Sequence, residues 1–141
     1  MQNEELTKWP FAQDLRGRAL HFAKGYDRLK HEADEMIQQA PVMDGQPRGT
    51  KTSDPTAAAA IRRERITREI RIIEGALNDI EPEYREAIIE NVCRGVRMED
   101  LEGFSVSSLI RRRRTFLAGI VERAGWVEEW PEAWEEEWRS Y

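Results

Sequence analysis

The sequence is poor in what most enzymes and most secreted proteins need. It holds one cysteine, Cys93, so an internal disulfide is excluded and a reducing cytoplasm is expected. It holds two histidines, His21 and His31, ten positions apart, which is not the spacing of a helical metal pair. No glycine-rich phosphate loop follows a strand pattern, so nucleotide chemistry of that kind has no anchor. The longest unbroken apolar run is Ala57 to Ile61, far short of the roughly 20 residues that span a bilayer. The first ten residues, MQNEELTKWP, lack the basic and apolar regions of a signal peptide. Together these features predict a non-enzymatic cytoplasmic protein with no catalytic residue, cofactor, metal or membrane partner.

Charge is abundant: 35 % of the 141 residues are charged, for a net charge of −5. That sum conceals a segregation. Residues 126–141 carry six glutamates against Arg139 and account for the whole excess, while the rest of the chain is neutral. A locally basic surface is therefore compatible with an acidic protein.

The hydrophobic pattern is helical almost throughout, which predicts an all-α fold. Phe22, Tyr26, Leu29, Ala33, Met36 or Ile37, and Ala40 recur at steps of three and four, giving a long helix over 14–40 that Gly17 and Gly25 weaken and Pro41 ends. Residues 41–54 hold two prolines and two glycines and read as a linker. Asp54 followed by Pro55 is a helix start. The helix from Pro55 to about Asn78 places Ile66, Ile70, Ile73 and Leu77 on one face. Arg62, Arg63, Arg65, Arg68 and Arg71 fill much of the rest, as a solvated face or as contacts to nucleic-acid phosphates. The organisation is thus an N-terminal helical segment (1–40), the linker (41–54), a connecting helix with a tri-helical unit (55–125), and an acidic tryptophan-rich tail (126–141).

Within the tri-helical unit, a helix from Pro82 to about Arg94 turns Tyr84, Ile88, Ile89 and Val92 inward, and Gly95 closes it. Met98 and Leu101 mark a short helical segment, Gly103 and Phe104 a turn, and Ser105 the cap of a last helix running to about Ala124. On that helix Val106, Leu109, Ile110, Phe116, Leu117, Ile120 and Ala124 share one face. Ser108, Arg111, Arg112 and Thr115 lie opposite, and Arg113 falls inside the apolar stripe, where it should pair with an acid or reach outward. Five arginines and one glutamate lie between 105 and 123, four of the arginines consecutive, Arg111 to Arg114. A solvated arginine-rich helix and a DNA-reading helix both fit this pattern. On the second reading Ser105, Ser107, Ser108, Arg111, Arg112, Arg114 and Thr115 contact double-stranded DNA, because arginine forks onto guanine and hydroxyls take phosphates. Cys93, beside Val92, reads as a small core residue.

The stretch Ala76-Leu77, Ile80, Pro82, Tyr84-Arg85, Ile88-Ile89, Gly95, then Ser105 to Leu109 and Arg112 resembles region 4 of bacterial sigma-70-like factors, over about 50 of the 141 residues. It departs in a shorter segment between Gly95 and Ser105, in Ile110 and in Arg113. By length and order, with Asp44-Gly45, Arg48-Gly49 and Ser53 to Thr56 in the central segment, the chain is similar to phage late-gene regulators of the RinA/ArpU type. The resemblance implies a helix–turn–helix that reads promoter DNA, activation of phage late and packaging genes in the bacterial host cytoplasm, and contact with host RNA polymerase. A small terminase-like packaging protein, homo-oligomeric and ring-forming, and a helical adaptor that does not bind DNA are the alternatives.

In the tail, Trp126, Trp130, Trp134 and Trp138 recur every four positions and would form one stripe on a helix begun near Pro131. The stripe either docks on the chain's own core or anchors a partner.

Overall fold

The structure, a computed structural model, describes residues 13–38 and 53–126. The linker up to residue 52 and the tail beyond Trp126, with Trp130, Trp134 and Trp138, lie outside the described residues. Five α-helices and no strand occur among those described, the all-α architecture that the periodicity predicts.

The expected first helix is two: α1 (Gln13–Lys24) and α2 (Tyr26–Gln38). Gly25 stands between them, its N–H turned back to the Phe22 carbonyl at 3.1 Å. The break lets α1 bury Leu15, Ala19 and Ala23, while α2 buries Tyr26 and Leu29. At the far end of α2 Met36 packs against the core and Ile37 does not, being 75 % exposed.

Helix α3 (Ser53–Leu77) starts one residue before the expected cap. Its residues from Thr56 to Arg65 are all exposed; burial begins at Ile66 and continues through Ile73, Ala76 and Leu77. Arg62, Arg63, Arg65, Arg68 and Arg71 are exposed, Arg62 lying 4.0 Å from Glu32 of α2. The α3 C-terminus is closed by a side chain from the next helix: Arg85 Nε donates to the carbonyls of Leu77 and Ile80 at 3.1 and 3.2 Å.

Helix α4 (Pro82–Ile88) runs into a π-turn, Ile89–Cys93, where the expectation was one continuous α-helix. The wider turn is seen in the Arg94 N–H reaching Ile89 rather than Glu90. Gly95 then takes a φ of 75°, the left-handed geometry expected of it, and Val96 N–H closes on the Glu90 carbonyl at 2.9 Å. A 3-10 turn, Met98–Asp100, and Gly103 at φ 88° lead into α5 (Val106–Arg123).

Helix α5 is the central element. Its six residues from Phe116 to Val121 are all buried, so this half is enclosed on every side, by α1, α3 and α4. Close approach to α3 requires small residues. A Cβ added at Gly119 would lie 2.8 Å from Asp79 Oδ2 and 3.1 Å from the Ala76 Cβ. Trp126, just after α5, sets its ring edge-on to Phe22 of α1, with centroids 5.8 Å apart and planes at 88°, and Arg18 stacks on it at 3.9 Å. Trp126 thus packs on the chain's own core.

Candidate nucleic-acid interface

The N-terminal turns of α5 emerge from the core that swallows its other half. Ser105 caps them, with extended backbone and its Oγ accepting from the Ser108 N–H at 3.2 Å. The same Oγ donates to Ser108 Oγ at 2.8 Å and lies 3.4 Å from Ser107 Oγ. Three hydroxyls are therefore gathered at the helix start, Ser105 and Ser107 exposed and Ser108 half-buried. Val106, expected on the inner face, is 41 % exposed because the first turn overhangs the core. Phe104 anchors the approach by stacking, tilted at 50°, on Tyr84, centroids 5.2 Å apart.

The four consecutive arginines do not form one basic face. Steps of 100° send them to four different surroundings. Arg111 is exposed. Arg112 donates from Nε to Glu81 Oε2 at 2.9 Å and lies face-on over the Tyr84 ring, 4.2 Å from its centroid. Arg113 is half-buried and reaches Asn91 Oδ1 from Nη1 at 3.4 Å; burial, then the nearby positive Arg16, push its pKa down. It meets an amide, where an acid or an outward reach was expected. Arg114, expected at a DNA-contacting position, is only 8 % exposed and lines the cleft between α5 and the preceding turn. Thr115 is half-buried, and its hydroxyl already donates to the Arg111 carbonyl at 3.1 Å.

The partners of these arginines are what sequence reasoning missed. The turn between α3 and α4 carries Asp79 and Glu81. Glu81 holds Arg112, and Asp79 receives two hydrogen bonds from Arg123, at 2.6 and 2.9 Å. The Arg112 guanidinium in turn holds the Glu81 carboxyl below its ordinary range. A cleft of about 410 Å³ opens between this turn and α5, with Arg111, Arg112, Arg114 and Thr115 on one wall and Asp79, Ile80 and Glu81 on the other. Glu81 and Arg112 are 31 positions apart, and no local pattern announces such a pair.

A second ion cluster centres on Arg94. Arg94 binds Asp27 of α2 through Nε at 3.0 Å, and also Glu86 and Glu90. It fixes the end of the π-turn to the start of α2. Cys93 beside it is half-buried; burial, then the Asp27 carboxylate, push its thiol up to about 12 against an opposing Arg94. That thiol stays protonated at neutral pH, so it is a poor nucleophile. Among the described residues no group of three or more His, Cys, Asp or Glu side chains could hold a metal ion, and no helix is long and apolar enough to cross a membrane.

No protein-family model, no curated protein and no solved structure matches this chain.

Proposed function

We propose that the chain is a sequence-specific regulator that binds double-stranded DNA through the helix–turn–helix of α4 and α5, with the start of α5 in the major groove. The observation that carries this reading is the overhang of α5: a capped, hydroxyl-bearing first turn and the exposed Arg111 project from a helix whose other half is buried. A rigidly held helix with polar, exposed early turns is what groove recognition requires. Arg111 would fork onto a guanine edge. Ser107 and the free N–H groups of the first turn would take backbone phosphates. Arg114 is 8 % exposed but lines the cleft beside Arg111 and Arg112, so it would act there rather than on a base edge. Activation of phage late genes through host RNA polymerase is the further step that the resemblance to phage regulators suggests.

The test is a selection of bound fragments from a phage-bearing genome with the full chain, followed by affinity measurements on the selected site. Arg111→Ala should lose about 1–3 kcal/mol on that site. Arg68→Ala, on the exposed face of α3, should change little, or change all sequences alike. Equal losses at both positions would replace a recognition helix with a diffuse electrostatic surface. The internal use of Arg112 and Arg123 by carboxylates favours a second reading, a helical adaptor that binds no DNA. Absence of duplex binding at 50 mM salt would decide for it, and a ring-sized mass in solution would decide for the packaging protein instead.

A further inference from the structure

The two carboxylates of the turn over residues 78–81 engage arginines eleven positions apart on α5, about 16 Å along the helix. The two pairs differ in kind. Asp79 and Arg123 sit where Gly75 and Gly119 let α3 and α5 touch; a Cβ at Gly75 would lie 2.6 Å from Arg123 Nε. That pair is built into the packing. Glu81 instead stands at the rim of the cleft with 52 % of its side chain in solvent, against 23 % for Arg112. Arg112 has a second hold that does not involve Glu81, the stack on Tyr84, itself wedged against Phe104.

We propose that this cleft is a phosphodiester subsite, that Glu81 fills it in the free protein as an intramolecular stand-in for phosphate, and that a DNA backbone phosphate displaces the Glu81 carboxylate from Arg112. The inference rests on the DNA-binding reading above and adds to it which phosphate contact is gated, and by what. A guanidinium binds carboxylate and phosphate oxygens with the same fork geometry. The exposed carboxylate is the partner most easily exchanged, since its pair is weakened by solvent. The aromatic stack keeps the guanidinium oriented while the exchange takes place. Arg111, on the same wall of the cleft, adds a second positive charge to the incoming anion.

The experiment uses the full chain and a mixed-sequence 30-base-pair duplex, with affinity read by fluorescence anisotropy between 50 and 200 mM KCl. Glu81→Gln should bind roughly three- to tenfold more tightly at 50 mM, with the slope of log affinity against log salt unchanged, because the same phosphate is neutralised once Glu81 has left. Adding Arg112→Ala to Glu81→Gln should abolish the gain and make the slope shallower by about one. Glu102→Gln, the same charge change at an exposed position in a neighbouring turn, should produce a smaller gain and no change of slope. A gain for Glu81→Gln no larger than that for Glu102→Gln overturns the proposal, as does a gain that survives the loss of Arg112. If neither the wild-type chain nor Glu81→Gln binds duplex at 50 mM while circular dichroism shows both folded, the DNA-binding reading falls, and the subsite with it.

Discussion

Single side chains decide how much of the arginine run is free to act. Arg111 is exposed, Arg112 is shared between Glu81 and Tyr84, Arg113 meets Asn91, and Arg114 is buried. Four identical neighbours in sequence thus have four different tasks. The same dependence on surroundings governs Tyr26 and Cys93. Tyr26 donates its hydroxyl to Glu74 Oε2 at 3.0 Å; burial, then that carboxylate, push its phenol from 10.0 up to about 12. Cys93 rises from 9.0 to about 12. Both groups hold their protons more tightly in the folded chain than in the unfolded one. The stability they contribute is complete below pH 9 and is lost as pH climbs through about 12. Urea midpoints should therefore fall steadily from pH 9 to 12, and Cys93→Ala should flatten the part of the decline that begins near pH 9. A midpoint constant across that range would show that neither group is shifted.

Among the elements, the helices and their order follow from periodicity and punctuation, but two joints do not. Gly25 looked like a weak spot inside one helix; it divides α1 from α2 because the two stripes must reach different partners. The π-turn at Ile89–Cys93 has no mark in the sequence and shows only as a shift in backbone pairing. Glycines within helices make the contrast testable. Gly17 has nothing within 4 Å of a built Cβ, whereas Gly119 faces Asp79 and Ala76 at 2.8 and 3.1 Å. Gly17→Ala should stabilise by up to about 1 kcal/mol through helix propensity. Gly119→Ala should destabilise despite the same propensity gain, because overpacking a close contact costs roughly 1–3 kcal/mol. Thermal melts of the two variants should move in opposite directions, and parallel shifts would refute the tight α3–α5 approach. Ser105→Ala, which removes the cap of α5, should cost about 1 kcal/mol in the same assay.

At the scale of the whole molecule, charge that is plentiful in composition is scarce at the proposed interface. Counting the five α5 arginines as one surface would give about five neutralised phosphates and a loss of affinity of roughly 500-fold between 50 and 200 mM salt. The structure leaves Arg111 and, once released from Glu81, Arg112; the exposed Arg97, paired with the exposed Asp100, is counted as a third candidate. About three phosphates correspond to a loss of roughly 40-fold over the same range. A salt titration of duplex binding should give that shallower slope; a thousandfold loss would mean that the α3 arginines also lie on DNA.

The sequence by itself determined the helical class, the capped start of α5 at Ser105, the left-handed closure at Gly95 and the inner positions Leu109, Phe116, Leu117 and Ile120. Each of these is local: a spacing of three or four, a hydroxyl before a helix, a glycine after one. Only the tertiary structure decided that Glu81 would meet Arg112, that Asp79 would meet Arg123, and that Arg114 would be enclosed. Those outcomes depend on where the turn at 78–81 crosses α5, and that crossing is set by how closely Gly75 and Gly119 allow two helices to approach. A helical period names the face on which an arginine stands; what stands opposite it comes from a segment some 30 residues distant, brought there by burial of apolar surface that carries no label for the charges beside it.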